Sequence, residues 1–450
     1  MLPLRCARSP AWLGCAQEGL RGVAVTAGAL TAIHDALLAA CLLGAWLVIG
    51  FYTVLTLAGF VYSLECRRAR RRAPSCDDWP GVSLLVPAHN EEIVIAGTID
   101  SLLHLDYPRD RMEIIIIEDS SSDRTRRAVE QMMVLDPRVK LVSIPPGLGG
   151  RGKSHALNAG LRHASHEIIA VYDADNAPDP ASLRWLVAEL VSDRRLAAVV
   201  GKVRTLNRGV NFLTRCINVE FIGFQWIVQA GRWRLFGLAS LPGTNYVIRR
   251  DALERAGGWD TGAIADDAEL TVRLSQDGYR IKFIPYAVTW EPEPQAWSVW
   301  LRQRLRWARG GTYVVRKFLP RLHRVRRRHL WLEVLHLLTI YHFFFVVLLV
   351  SDLILVGGLV IGLAAGPPTS PLLMLWGLAF SLFLLQLAVA LAAEGENSPL
   401  NVLTAAAMYF TYCQLWVYIC AKAHYLDVVR QEDLYWEKTV RAPYPVAGRS

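Results

Sequence analysis

Long uncharged apolar blocks stand at both ends of this chain, and a more polar stretch separates them. The first block, Ala36–Leu64, carries no charged residue and is long enough to cross the ~30 Å hydrocarbon core of a bilayer as a helix. Further apolar blocks follow residue 330. The pattern predicts an N-terminal segment 1–33 without assignable structure, a transmembrane helix 34–65, a soluble domain 80–312, a C-terminal transmembrane region 330–425 and a tail 426–450.

Within the soluble stretch, short β-branched and leucine-rich runs alternate with segments of helical periodicity. The run Glu113–Glu118, with its consecutive isoleucines, indicates a strand buried on both faces, as in a parallel sheet. This alternation is typical of a doubly wound α/β domain, which binds ligands at the carboxyl ends of its strands. The other predicted strands are Val82–Val86, Val139–Ile144, Ile168–Tyr172 and Ala197–Val203, and the helices are Ile93–Leu103, Asp123–Val134, Lys153–His163 and Leu183–Leu190.

Two later segments, near 209–236 and 295–315, mix apolar and aromatic residues with scattered charges. This composition favours amphipathic helices that lie at the membrane surface. For the first segment, an ordinary half-buried helix is the alternative.

Charge narrows the class of protein further. The chain is 53% hydrophobic, and its net charge of +9 comes largely from two arginine-rich clusters beside membrane blocks, at 67–72 and 316–328. The positive-inside rule predicts a cytoplasmic domain in a multi-pass protein of the cell (inner or plasma) membrane, and it explains the basic residues without nucleic acid. Three spans after the domain would put the basic tail outside, against this rule. The block Leu400–Ala421 is therefore either a span or an interfacial segment.

Acidic residues follow the predicted strands. Asp119 ends the second strand, and Asp173 and Asp175 follow the fourth. Carboxylates in such positions can hold a divalent cation, which neutralises a diphosphate leaving group. The alternative for the pair is a solvated turn that caps the next helix. Asp119 could accept hydrogen bonds from a nucleobase N–H or from ribose hydroxyls.

Asp266 and Asp267 open a predicted helix, Ala268–Ser275. A carboxylate here could be the general base that takes the proton from an attacking hydroxyl. The alternative is a capping role, because the helix dipole favours negative charge at its N-terminus.

Gln303, Arg306 and Trp307 lie at helical spacing and therefore share one face of a predicted helix. A guanidinium suits a diphosphate, and an indole suits the flat face of a sugar ring. The alternative is a juxtamembrane helix whose arginine faces lipid headgroups and whose tryptophan lies at the interface.

One motif indicates a different class of protein. Residues 147–154 match the Walker A spacing and lie between a predicted strand and a helix, as in a P-loop ATPase. However, they follow the third strand, whereas a P-loop usually follows the first, and a P-loop leaves the Asp266-Asp267 pair and the Gln-x-x-Arg-Trp motif unexplained. The alternative is that Lys153 contacts the phosphates of a donor nucleotide, with the glycines giving access to the loop.

Together these motifs resemble the membrane-integrated, processive family 2 glycosyltransferases, which include poly-N-acetylglucosamine, hyaluronan, chitin and cellulose synthases. The resemblance implies a GT-A fold (a Rossmann-like, mostly parallel α/β sheet) with flanking transmembrane helices, and an inverting transfer from a UDP-sugar with Mg²⁺ or Mn²⁺. For the donor, the resemblance implies a uridine pocket lined by Pro87, Asn90, Glu91 and Asp119, and a contact between Lys153 and the phosphates. It implies that Asp173 binds nucleotide and metal and that Asp175 binds the metal. On the acceptor side, it places Gly243 and Asn245 in a loop, and it implies that the diphosphate and the acceptor sugar are held by Gln303, Arg306 and Trp307.

The chain departs from this family at one motif. The family usually has Thr-Glu-Asp where this chain has Ala265-Asp266-Asp267, which assigns the base to Asp267 and leaves Asp266 open. The expected reaction adds a sugar, N-acetylglucosamine by first choice, to a growing β-linked polysaccharide and extrudes the product across the bilayer, with accessory export subunits as possible partners. The rivals are a non-processive enzyme with a glycolipid acceptor, a P-loop membrane ATPase or transporter, and a catalytically inactive partner subunit.

Overall fold

A computed structural model describes residues 43–71, 73–324, 346–357, 359–360 and 371–432. Several predictions concern residues outside these ranges: segment 1–33, the start of the first transmembrane helix, residues 330–345 and 361–370 of the C-terminal region, and most of the tail.

One sheet organises the soluble part. Its strands are β1 (Val82–Ala88), β2 (Met112–Asp119), β3 (Val139–Ile144), β4 (Ile168–Val171), β5 (Ala177–Pro178), β6 (Leu196–Thr205), β7 (Tyr246–Arg249) and β8 (Arg280–Glu291). The first four are parallel, as predicted, and β1 lies between β2 and β4 with Ala88 opposite Glu118 and Leu85 opposite Val171. The short strand β7 runs antiparallel to both β4 and β6, so the sheet is mixed. Within the described residues the sheet order is β3-β2-β1-β4-β7-β6-β8-β5.

Helices connect these strands and cover both faces of the sheet, and every residue of β2 is buried as a result. The alternation of strand and helix through residue 205 agrees with the predicted pattern. The helices of the soluble part are α2 (Ile95–Leu103), α3 (Thr125–Leu135), α4 (Lys153–Leu161), α5 (Ser182–Ser192), α6 (Phe212–Gly223), α7 (Ala230–Phe236), α8 (Arg250–Arg255), α9 (Asp266–Gln276) and α10 (Trp297–Phe318). A π-helical turn, Phe224–Gln229, joins α6 to α7.

Three of the described helical segments are long and apolar enough to cross a membrane: α1 (Leu43–Ala69), Leu373–Glu394 within α12 (Pro371–Glu394), and Pro399–Val429. A shorter apolar helix, α11 (Val346–Gly357), precedes α12. Pro399–Val429 is broken at Thr411 into α13 (Pro399–Phe410) and α14 (Tyr412–His424), followed by a π-helical turn.

The predicted segment near 209–236 is helical and largely buried, and it packs between the sheet and the membrane helices α12 and α13. The backbone of helix α1 (Leu43–Ala69) lies directly against the backbone of this segment. A Cβ on Gly59 would overlap the carbonyl of Trp226, and one on Gly231 would overlap that of Leu55. Glycine at these two positions therefore lets the backbones meet.

Both ends of Pro399–Val429 contact the soluble domain. Just before its start, Asn218 of α6 donates a hydrogen bond to Glu396 (2.9 Å). At its end, Arg309 of α10 forms an ion pair of 2.6 Å with Asp427. Both ends of the segment therefore lie beside the soluble domain.

A buried carboxylate fastens α12 to the sheet. Glu394, with its side chain 2% exposed, pairs with Lys202 at 2.8 Å and with Arg204, and it accepts a hydrogen bond of 2.7 Å from the indole of Trp226. Lys202 itself is buried. Removing one partner of such a pair leaves an uncompensated buried charge, which typically costs about 3–5 kcal/mol.

We therefore expect Glu394→Ala to lower the free energy of unfolding by about 3 kcal/mol or more. Thermal denaturation of the detergent-solubilised protein measures the loss. The control is Asp251→Ala, which removes the carboxylate of an exposed ion pair with Arg255 and should change stability by less than about 1 kcal/mol. Equal effects of the two substitutions would contradict the anchoring role.

Candidate active site

The chemistry-bearing residues gather around one cavity of about 880 Å³. It begins where β4 and β8 end and continues between the membrane helices. Of the residues predicted from sequence, its lining includes Glu91, Lys153, Asp173, Asp175, Gly243, Asp266, Asp267, Gln303, Arg306 and Trp307.

Lys153 connects three parts of this cavity. Its ammonium lies 2.5 Å from Asp173 Oδ1 and donates a hydrogen bond of 2.8 Å to the carbonyl of Gly243. The left-handed backbone of Gly152, with φ of 99°, starts α4 at this point and directs the lysine toward β4. Burial alone lowers the pKa of Lys153, but Asp173, Asp266 and Asp267 raise it above the ordinary value. The lysine is therefore a fixed positive charge among carboxylates.

Asp266 and Asp267 form the first turn of α9 on the opposite wall. Asp267 Oδ1 accepts a hydrogen bond of 2.7 Å from the backbone N–H of Ala268. A Cβ on Gly243 would lie 3.2 Å from Asp267 Oδ2, so the glycine keeps space open beside the carboxylate. Burial is the main cause of a raised pKa at both residues, and it brings the pKa of Asp266 to about 7. A carboxylate with a raised pKa is suited to general-base chemistry near neutral pH.

Asp173 and Asp175 have the chemistry of a divalent-cation site. Both carboxylates face the cavity, and carboxylate oxygens are the ligands that Mg²⁺ and Mn²⁺ prefer. The described part of the chain contains no cluster of three or more potential metal ligands. Mg²⁺ is commonly held by one or two carboxylates together with substrate phosphates and water. The pair fits that arrangement.

Four of the predicted nucleotide-binding residues lie around the ends of β1 and β2. Asp119 is buried, and its Oδ1 accepts a hydrogen bond of 2.9 Å from the Gly150 N–H. Asn90 has a left-handed backbone (φ of 55°), and its side-chain oxygen accepts a hydrogen bond of 2.7 Å from the N–H of Ser122. Pro87 is the second-last residue of β1, and Glu91 reaches the cavity. The structure thus groups these residues at one edge of the sheet, while only Glu91 belongs to the cavity lining.

The Walker-like loop has a different architecture from a phosphate-binding cradle. Its Gly150 N–H is used by Asp119, and its lysine is used by Asp173 and Gly243. The loop therefore connects the ends of β2 and β4. The engagement of the Gly150 N–H by Asp119 argues against a P-loop, because the backbone N–H groups of a P-loop hold phosphate.

Asn245 was predicted to contact substrate, but its side chain does not line the cavity. It is fully buried in the sheet and donates hydrogen bonds of 3.0 Å to the carbonyls of Lys202 and Ala287. Its left-handed backbone (φ of 51°) turns the amide into the gap between β6 and β8. Asn245 therefore holds the sheet that carries the loop, and contact of this residue with substrate remains a prediction.

Helix α10 presents Gln303, Arg306 and Trp307 to the cavity, as their spacing predicts. Arg304, which directly follows Gln303 in the sequence, is fully buried and has its guanidinium 3.9 Å from the centroid of the Trp307 ring. The motif as read from sequence skipped this residue because an arginine among arginines gives no sign of burial.

Sequence reasoning also missed Glu291, the last residue of β8, and Glu293, just beyond it, which both line the cavity. Asn176 donates a hydrogen bond of 3.1 Å to Glu291. Burial is the main cause of the raised pKa of both glutamates. The sequence Glu-Pro-Glu-Pro at the end of a strand could have indicated these two site residues.

A mixed, mostly parallel sheet with carboxylates at its strand ends, beside apolar helices, defines a glycosyltransferase of the GT-A class. The model of the family described as "Glycosyltransferase like family 2" matches residues 80–310. The chain belongs to this family.

Similar proteins agree with this class. The chain is 39% identical over 88% of its length to a probable glycosyltransferase of Bacillus subtilis, of which it covers 95%. A mannosyltransferase from Pyrobaculum calidifontis, solved with GDP-mannose and Mn²⁺, has a TM-score of 0.53 at 23% identity over 81% of this chain and 99% of its own. That likeness is one of fold.

Two other relatives match the soluble domain. A β-monoglucosyldiacylglycerol synthase of Synechocystis is 36% identical over 52% of this chain, and a poly-β-1,6-N-acetyl-D-glucosamine synthase of Staphylococcus aureus is 28% identical over 57%. The chain covers 48% of the first and 61% of the second, so it spans about half to three-fifths of the length of these two proteins.

The raised pKa of Asp267 and Asp266 predicts a pH dependence for sugar transfer if either carboxylate is the general base. A general base acts in its deprotonated form, so the rate should fall as pH is lowered through a range above the ordinary aspartate pKa, and through about 7 if the base is Asp266. We expect kcat/KM for the acceptor to follow this titration. A rate that stays constant down to about pH 5 would contradict it, since an ordinary aspartate titrates near 4.

Proposed function

We propose that this protein transfers a sugar, with inversion, from a UDP-sugar to an acceptor hydroxyl held at the membrane face of its cavity. The observation that carries the proposal is the continuity of that cavity, which joins the carboxylates at the strand ends to Gln303, Arg306 and Trp307 and then to the membrane helices. N-acetylglucosamine is our first choice of sugar, supported by the motif resemblance and by the name of the Staphylococcus aureus relative.

The donor binds across the ends of β1, β2 and β4. Pro87, Asn90, Glu91 and Asp119 hold the uridine, because amide and carboxylate groups there can pair with base and ribose. Lys153 and Arg306 contact the diphosphate as cations. Mg²⁺ or Mn²⁺ held by Asp173 and Asp175 would neutralise charge on the departing UDP.

Asp267 is the proposed general base. Its carboxylate takes the proton of the acceptor hydroxyl, the hydroxyl oxygen forms a bond to the anomeric carbon, and the bond from that carbon to the UDP oxygen breaks. UDP leaves with the electron pair, and attack from the opposite side inverts the anomeric centre. Asp266 is adjacent and shares the buried environment, so it is the alternative base.

The preferred acceptor is a growing β-linked polysaccharide, elongated processively and extruded between the membrane helices. The indole of Trp307 suits stacking on a sugar ring in this role. Accessory export subunits are compatible partners.

A lipid acceptor is the second candidate, and the membrane end of the cavity favours it. Apolar side chains dominate there, and the polar groups among them are already engaged. Gln386 donates a hydrogen bond of 3.0 Å to Thr53, and Ser351 shares one of 2.5 Å with Tyr409. Sugar hydroxyls that lack partners in such a place would cost free energy, whereas acyl chains would not.

We place the enzyme in the cell (inner or plasma) membrane as a multi-pass protein with a cytoplasmic catalytic domain. The basic clusters beside α1 and after α10 support this orientation by the positive-inside rule. Since both ends of Pro399–Val429 contact the domain, the basic tail would also be cytoplasmic, which removes the conflict that a third C-terminal span creates.

The base assignment predicts the behaviour of Asp267→Asn. The amide keeps the shape of the side chain but cannot take a proton, so the transfer rate should fall by at least ~10². UDP affinity, measured by calorimetry, should stay nearly unchanged. Loss of UDP binding would mean that Asp267 belongs to the donor site instead, and an undiminished rate would move the base to Asp266.

Trp307→Ala tests the acceptor role of α10. We expect elongation to fall far more than hydrolysis of the UDP-sugar by water, because only elongation needs the stacked acceptor. Product sizing on a gel and UDP release measure the two rates. Equal losses would argue against an acceptor role, and a product of one added sugar on a lipid would favour the second candidate.

A further inference from the structure

Arg304 lies inside the Gln-x-x-Arg-Trp segment yet does not belong to its exposed face. Its side chain is fully buried, and the guanidinium contacts two of the residues that line the cavity. Nη1 donates a hydrogen bond of 2.8 Å to Gln303 Oε1, and the guanidinium carbon lies 3.9 Å from the centroid of Trp307.

The hydrogen bond to Gln303 fixes the direction of its amide. A guanidinium can only donate, so the group that meets it must be the amide oxygen. The Nε2 amino group then points away from Arg304, and Gln303 lines the cavity. The two N–H donors of Gln303 are therefore the groups of this amide that Arg304 does not engage, while its oxygen already accepts one hydrogen bond.

Arg304 also determines which face of Trp307 is available. One face of the indole is covered by the guanidinium at stacking distance. Trp307 is half-buried and belongs to the cavity lining, so its remaining surface is directed to the cavity.

Residues from two other helices hold Arg304 in place. Nη2 donates a hydrogen bond of 2.6 Å to Glu220 of α6. The hydroxyl of Tyr412, on α14, donates to the same carboxylate oxygen and accepts a hydrogen bond of 2.9 Å from the indole N–H of Trp300. A buried cation is stable only when paired in this way, so the arginine is anchored from the soluble domain and from a membrane-side helix.

We propose that Arg304 is a positioning residue for the acceptor, which orients Gln303 as a hydrogen-bond donor to an oxygen of the acceptor sugar and Trp307 as the surface on which that sugar stacks. The inference rests on the proposed function and adds to it the polarity of the acceptor subsite. It makes Gln303 a group that recognises a hydroxyl or ring oxygen through its N–H.

Gln303→Glu separates the donor from the acceptor property of this side chain. The carboxylate still accepts the hydrogen bond from Arg304, so α10 keeps its position, but it cannot donate to the cavity at neutral pH. We expect KM for a β-linked N-acetylglucosamine tetramer, with UDP-N-acetylglucosamine as donor, to rise roughly tenfold or more. UDP affinity is measured alongside by calorimetry, and the proposal requires KM for the tetramer to rise by a clearly larger factor than the Kd for UDP.

Arg304→Lys tests the positioning role itself. The lysine can still pair with Glu220 but cannot also fix the amide and cover the indole. KM for the tetramer should rise again with UDP-sugar hydrolysis retained, whereas Arg302→Lys, an exposed arginine on the same helix, should leave both unchanged. If Arg304→Lys fails to fold, as judged by thermal denaturation, Gln303→Glu decides alone.

Either of two results would overturn the inference. An unchanged KM for the tetramer in Gln303→Glu would mean that the amide oxygen or neither group serves the acceptor. A loss of UDP affinity that matches the loss of acceptor binding would assign Gln303 to the diphosphate. If the unmodified protein transfers no sugar from any UDP-sugar to any acceptor, the proposed function fails, and the inference fails with it.

Discussion

The positive charge of Lys153 is the interaction on which the candidate site depends. Three carboxylates, from Asp173, Asp266 and Asp267, face one cavity, and like charges that are close together and partly removed from water repel. The ammonium pairs with Asp173 at 2.5 Å and contributes favourable charge to the other two. It also bonds to the Gly243 carbonyl, so the loop beside Asp267 is fixed by the same group. Lys153 therefore both compensates the negative charge of the carboxylates and fixes the position of the Gly243 loop.

The second constraint is that the site is completed only where the soluble domain meets the membrane helices. Asp173 and Asp175 follow β4 and the pair Asp266-Asp267 opens α9, whereas α10 carries Gln303, Arg306 and Trp307. Buried ion pairs fix the layers around the site: Glu394 ties α12 to β6, and Arg304 ties α10 to α6. Each ion pair fixes the position of one helix relative to its partner element, because separating the two would leave a buried charge without its partner, which is costly. A fragment containing only the sheet would thus lack half of the site.

Much of this arrangement could be predicted from the sequence. Buried parallel strands such as β2 have a distinctive apolar run, and the polar residues that end them must meet at one edge of the sheet. The features that escaped prediction depend on contacts between distant segments. The antiparallel strand β7 is short, Asn245 looks like a loop residue until the sheet closes around it, and the burial of Arg304 depends on Glu220 and Tyr412.

The most direct test of the account is UDP release by the detergent-solubilised protein offered a panel of UDP-sugars, and ATP, with Mg²⁺ or Mn²⁺, with the products sized on a gel. The account predicts UDP release with one UDP-sugar and a glycosidase-sensitive product. A product of high mass would identify a polysaccharide synthase and its monomer. Phosphate release from ATP, with every UDP-sugar left intact, would contradict the account.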